Sequence, residues 1–222
     1  MLQASTLTFL RTLKRNNNKT WFDEHRSQYE QARADFGAFI QRVIDRQGRS
    51  DPAIAHLQAK DCLFRINRDV RFSKDKSPYK TNFGASIRSG GKKSILAGYY
   101  FHLEPGQSFA GGGIWQPLPA ELTKIRQEID YNLPEFRNIV ESRRFRAVFG
   151  ELYQGEGVRL SRLPKGYQED NPAAPYLKFK SYLALADLSD KELTSSALEK
   201  KTLAALQALQ PLVAFINRAL EA

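Results

Sequence analysis

Around residue 62 the hydrophobic period of this chain changes, and the change limits the fold it can adopt. Upstream, apolar residues recur at helical spacing: Phe22, Tyr29, Ala32, Phe36, Phe39, Ile40, Val43 and Ile44 form one stripe. From Cys62 onward they fall on alternate positions, at Cys62, Phe64, Ile66, Val70 and Phe72, the two-residue period of a strand. The helical period returns after Pro117, with Leu122, Ile125 and Ile129, and again near the end, with Leu206, Leu209, Val213, Ile216 and Leu220. Helices, then strands, then helices indicate an α+β fold. The expected fold is an antiparallel sheet of about four to six strands packed against N-terminal, central and C-terminal helices.

The boundaries follow from local chemistry. A short helix from Ser5 to Lys14 should bury Leu7, Leu10 and Leu13 and stop at Asn16-Asn17-Asn18. Thr20 and Asp23 resemble a capping box at the head of a helix running to about Arg46, with Gly48 as its stop and a short turn after Asp51-Pro52. Extended runs are expected at 62–72, Phe83–Arg88, Ile95–Glu104, Ser108–Trp115 and Tyr182–Leu188. Ser89–Ser94 forms a hairpin loop and Glu104-Pro105-Gly106-Gln107 a turn. Helices are expected at Ala120–Asp130, at Pro134–Phe145 and from Ser196 onward, the last kinked at Pro211. The stretch from Tyr153 to Pro175 reads as a long excursion with at most one short strand. No break in composition divides the 222 residues, so one domain over 1–222 is expected.

Composition removes several classes of function. One cysteine, Cys62, excludes a disulfide framework and a cysteine-rich zinc module, and three histidines leave little for a metal centre. No metal and no cofactor are expected. No apolar run suggests a membrane span or a membrane partner, and a single cysteine suits a reducing, cytoplasmic compartment. The 34 basic and 24 acidic residues leave a net charge of +10. It is concentrated: Lys60 to Lys93 holds ten basic residues against three acidic, a net +7. Such a field draws phosphate-bearing ligands or polyanions. It is also compatible with a solvated, internally paired surface.

Within that stretch, Arg68 to Thr81 (RDVRFSKDKSPYKT) is the most informative run. As a strand continuing from Cys62, it places Arg68 in an otherwise apolar row, where a guanidinium needs a carboxylate, backbone carbonyls or a bound anion. Beyond Ser73 the strand pattern fails at Ser77-Pro78. Arg68, Arg71, Ser73, Lys74, Lys76, Tyr79 and Lys80 together offer bidentate, point-charge and hydroxyl contacts to an oxyanion. The favoured function is therefore binding of a phosphate-bearing small molecule or nucleic acid through segment 65–80. In a second reading the chain is an enzyme on a small anionic substrate, with His102, Asp69 or Asp75 moving protons. In a third it is an interaction protein whose basic segment pairs with its own Asp69 and Asp75.

Other motifs fail or stay open. Gly90-Gly91-Lys92-Lys93-Ser94 lacks the first glycine and the final hydroxyl of a P-loop and joins two strands. Gly111-Gly112-Gly113 lies inside a strand pattern, so something approaches its backbone closely: a ligand over a flat floor, or an aromatic such as Trp115 or Phe109. His102 sits between Tyr100 and Glu104 on one strand face and reads as a general base or a partly buried structural histidine. Oligomeric state is not encoded in any of these features.

The run FRINRDVRFSKDKSPYKT resembles the hallmark of a bacterial and fungal family catalogued as domain of unknown function 2461. FLRTLKRNNNKTWFDEHRSQYE upstream, and GYYFHLEPGQSFAGGGIWQP and LPKGYQEDNPAAPYLKFKSY downstream, are similar to further blocks of that family. The resemblance covers nearly the whole chain. It implies a single domain and carries over no catalytic residues.

Overall fold

The computed structural model describes residues 1–221. Among them are ten helices and a four-stranded antiparallel sheet, the architecture expected from the two periods. Helix α1 (Ala4–Arg15) buries Leu7, Phe9, Leu10 and Leu13 and stops at Asn16. The long helix expected from Thr20 is two helices, α2 (Lys19–Glu24) and α3 (Arg26–Gln47). The break is His25, whose φ of −108° and ψ of 19° leave the helical region. Its ring stacks on Trp21 at 4.0 Å and its Nδ1 bonds the Trp21 carbonyl. The start is capped by Asn18, whose Oδ1 accepts from the Trp21 amide at 2.9 Å. Asp23 makes no capping box; it pairs instead with Lys19 and Arg26.

The segment after α3 departs furthest from expectation. Cys62 closes a one-turn helix, α4 (Ala59–Cys62), and no strand runs over 62–72. Leu63 makes a single bridge to Ala85, and the Phe64 amide reaches the Gly84 carbonyl at 3.0 Å. The chain then folds back on itself. Asn67 bridges Tyr79, the Arg68 amide donates to Pro78 O at 2.9 Å, and the Lys80 amide donates to Ile66 O at 2.8 Å. Alternation alone cannot hold this segment in the sheet. The aspartates at 69 and 75 hold its arginines locally, and Pro78 has no N–H for a ladder. Phe72, expected inside, is 96% exposed.

The sheet consists of β1 (Phe83–Ile87), β2 (Gly98–Leu103), β3 (Ser108–Ile114) and β4 (Tyr182–Leu188) in that order, every pair antiparallel. Strand β2 begins at Gly98, three residues later than expected, because Arg88 Nη1 takes the carbonyls of Ser94 and Leu96. Between β3 and β4 come α5 (Pro119–Tyr131), α6 (Leu133–Val140), α7 (Arg143–Phe149) and α8 (Ala174–Leu177). The single helix expected over 134–145 is split because the Ser142 hydroxyl caps α7, accepting from the Phe145 amide. Before α8 begins at its end, the excursion from Tyr153 to Pro175 holds, among the described residues, one bridge, of Arg159 to Phe179. A short α9 (Asp190–Leu193) precedes α10 (Ala197–Glu221), which passes through Pro211 as one helix.

One sheet face is core. Phe83, Ala85, Ile87, Tyr99, Phe101, Leu103, Ala110, Ile114, Tyr182, Ala184 and Leu188 are buried on it, with α10 across β3 and α3 against β1. By length and composition α10 is apolar enough to cross a bilayer, but 61% of that stretch is buried inside the fold. Among the described residues the other face is open, lined as a cleft.

Candidate functional site

The basic segment is an ordered hairpin with its charges largely spoken for. At its neck, the Asn17 side-chain amide donates to Tyr79 O at 2.8 Å and accepts from the Tyr79 amide at 3.1 Å. The buried Tyr79 ring stacks on Phe22 at 3.9 Å. At its tip, Arg68 is bonded to the Asp75 carboxylate, to Ser77 O at 3.2 Å and to the Ser73 hydroxyl at 3.4 Å. These are two of the partners its position demanded. The Ser77 hydroxyl and amide, together with the Arg68 guanidinium, hold the Asp75 carboxyl down at about 2. Arg71 forks onto Asp69 at 2.7 and 3.0 Å, and that pair lowers Asp69 in turn. Lys76 Nζ donates to Val70 O at 3.0 Å, and Lys74 is exposed. Of the expected ligand residues, Lys80 alone leaves this hairpin for another environment.

That environment is a cleft of about 620 Å³ over the open face of the sheet, within the usual range for small-molecule sites. Strand parity builds it. Because β2 pairs with β1 and β3 in register, Gly84, His102, Phe109 and Asp187 form one cross-strand row. Ser86, Tyr100, Gly111 and Leu185 form the next. In the third, Gly98 faces Gly113, which faces Leu183. Two neighbouring strands thus offer bare backbone, bounded by Leu183, Trp115 and Arg88. Phe64, Tyr153 and Lys80 complete the walls. Exposed aromatics cluster here: Trp115 is 54% exposed, and Phe64 and Tyr153 are each 40%.

The glycine floor is required by the neighbouring strands. A Cβ on Gly112 would stand 2.2 Å from Gly98 O and one on Gly113 2.0 Å from Tyr182 O. Their φ angles of +145° and +114° also suit glycine alone. The close approach foreseen for this triplet is therefore made by the backbones of β2 and β4, not by Trp115 or Phe109.

Two cations line the cleft without an acid. Lys80 Nζ donates to Arg65 O at 3.0 Å and lies 5.5 Å from the centre of the Phe64 ring. Burial, with Arg65 nearby, pushes its pKa down. Arg88 bonds Ser86 Oγ at 2.9 Å through Nε and loop carbonyls through Nη1, and burial lowers its pKa too. Among the described residues no carboxylate lies within ion-pair distance of either, and Arg88 Nη2 has no hydrogen-bond partner. Arg88 also borders a second cleft of about 430 Å³ beside α10.

Of the expected proton-handling residues, His102 lines the cleft, while Asp69 and Asp75 stay in the hairpin tip. His102 Nε2 is 3.3 Å from Glu104 Oε2, and its ring stacks on Phe109 at 4.9 Å. Burial pushes its pKa down, against Glu104, which pulls it up. Sequence reasoning offered a flat floor at the glycine triplet as one of two readings but did not join Arg88, Tyr100 and Trp115 to it as one site. Their signal was the parity of β1 to β3, which places all of them on the face opposite Phe83, Phe101 and Tyr99. A family model described as conserved hypothetical protein (DUF2461) matches residues 5–215. No curated protein and no solved structure matches the chain.

Proposed function

This chain belongs to the DUF2461 family, and we propose that it binds a small anionic ligand with a flat apolar body in the cleft over its open sheet face. The observation that carries the reading is the pair Lys80 and Arg88, two partly buried cations in an aromatic-walled cleft with no acid beside them. A buried cation without a counter-charge is costly, and an anion supplied by a ligand removes that cost. The glycine floor accepts a planar group lying on the backbone, and Trp115, Phe64 and Tyr153 flank it. Lys80 is the contribution of the basic segment. The rest of that segment, with Arg68 and Arg71 already paired, does not line the cleft.

The test is a thermal-shift and calorimetric titration with phenyl phosphate, benzoate and benzyl alcohol at low and high salt. The two anions bind and benzyl alcohol does not. A ligand at a hundred times its Kd raises stability by about 2.7 kcal/mol. Lys80→Ala and Arg88→Ala each weaken binding about tenfold, the scale of a hydrogen bond to a charged group. Arg71→Ala and Lys74→Ala leave it unchanged. Equal binding of benzyl alcohol, or a loss on Arg71→Ala matching that on Lys80→Ala, overturns the reading.

A further inference from the structure

We propose that Tyr100 is the reacting residue of this cleft, a hydroxyl nucleophile whose proton is taken by His102 while Glu104 holds His102 in place. The proposal rests on the reading of the cleft as a site for an anionic ligand and gives that ligand a class, an anionic ester. Tyr100 and His102 are two residues apart on β2, so both side chains stand on the open face, and Glu104 follows just past the strand's end, its carboxylate beside His102. Glu104 is fixed first: its Oε1 accepts from Lys14 Nζ at 3.3 Å and from Thr81 Oγ1 at 3.1 Å. Its Oε2 faces His102 Nε2. A carboxylate only accepts, so Nε2 carries the hydrogen and Nδ1 keeps its lone pair. Around Nδ1 lie the Tyr100 hydroxyl at 3.4 Å and the Asn82 amide nitrogen at 3.5 Å, both donors to it.

Two further features fit the hydroxyl for this task. A Cβ at residue 84 would stand 2.5 Å from the Tyr100 oxygen, so Gly84 makes the room it occupies. Nδ1 is its one side-chain partner among the described residues. Burial raises the Tyr100 pKa and lowers that of His102, so near neutral pH the phenol has a proton to give and the imidazole a lone pair to take it. The charged and titratable groups around His102 are Glu104 on its own strand segment, Lys14 from α1, Lys80 on the rim, Tyr100 beside it and Asp187 beyond Phe109 on β4. In the step, the Tyr100 oxygen forms a bond to the electrophilic centre of the ester. The bond to the leaving oxygen breaks and its electron pair stays on that oxygen. The phenol proton passes to Nδ1 and from there to the leaving oxygen.

The experiment labels the full chain with phenylmethanesulfonyl fluoride and maps the product by mass spectrometry. The tyrosine oxygen displaces fluoride from sulfur and His102 takes the proton. The probe is uncharged, so failure here is separate from failure of the anion titration. Near pH 7.5 Tyr100 reacts at least about tenfold faster than Tyr131, which is 80% exposed. His102→Gln slows Tyr100 about a hundredfold, within the range of general-base assistance. The wild-type rate rises with a midpoint below the ordinary imidazole value and then levels off. In His102→Gln it rises only toward the phenol range, about pH 10. Glu104→Gln, which keeps the shape of the side chain, slows the reaction and shifts the midpoint further down. A Tyr100 rate no faster than that of Tyr131, or an unchanged pH profile in both variants, overturns the proposal.

Discussion

At the scale of single residues, the open face is decided by what is missing. Gly98, Gly112 and Gly113 leave bare backbone where a strand normally carries side chains, and their neighbours have closed to distances that admit nothing larger. Gly113→Ala must place a Cβ on the Tyr182 carbonyl at a φ of +114°, and the predicted loss of stability is at least about 2 kcal/mol. Gly106 is the control. Its φ is +82° with nothing within 4 Å of a Cβ, so Gly106→Ala costs only about 1 kcal/mol. Denaturant melts of both variants check the contrast, and equal losses contradict it. The triplet was visible in the sequence as an anomaly in a strand pattern. Its cause was not, because the atoms it makes room for belong to residues 98, 99 and 182 to 185. Arg88 escaped notice for a related reason: it ends an extended run, and only the register of β1 against β2 shows which face it serves.

At the scale of elements, the hairpin of residues 66–80 shows how far a two-residue period can mislead. Phe64, Ile66, Val70 and Phe72 alternate as a strand does, yet only Ile66 of the four is buried. Local chemistry prevailed: Asp69 captures Arg71, Asp75 captures Arg68, and Asn17 pins Tyr79 from across the core. The demand that Arg68 find a partner was legible. That Asp75 supplies it depends on a turn the pattern did not contain. Because the Asp75 carboxyl is held at about 2 in the folded chain, below its ordinary 3.8, its contribution to hairpin order is complete above about pH 4. It fades as pH falls toward 2. Amide protection at Ser73 to Ser77, corrected for the intrinsic pH dependence of exchange, should therefore fall over that interval and stay flat from pH 5 to 7. Asp75→Asn should show fast exchange already at pH 7 while leaving phenyl phosphate affinity within about twofold, since Asp75 does not line the cleft. A loss of affinity as large as that of Lys80→Ala would assign the hairpin a direct part in binding. The regular elements were easier. Strand β4 and helices α1, α5 and α10 lie within a few residues of their expected spans, because each buries an uninterrupted apolar stripe or row.

At the scale of the whole molecule, helices cover one face of a four-stranded sheet and leave the other as a cleft. The concentrated charge of the middle segment does not act as one positive surface. Arg68 and Arg71 are consumed in holding a projecting hairpin, while Lys80 reaches the cleft, where it joins Arg88 from the end of β1. Charge counted along the chain could not separate paired cations from unpaired ones, since pairing is fixed by the fold back at Ser77-Pro78. An anion should enter the cleft and not the hairpin tip. The most direct measurement is an amide and indole NMR titration of the full chain with phenyl phosphate. The predicted result is saturable shifts at Gly84, Gly98 and Gly113 and at the Trp115 indole, with Arg71, Lys74 and Lys76 unmoved. Shifts confined to those three hairpin residues, or no saturable shift at all, would contradict it.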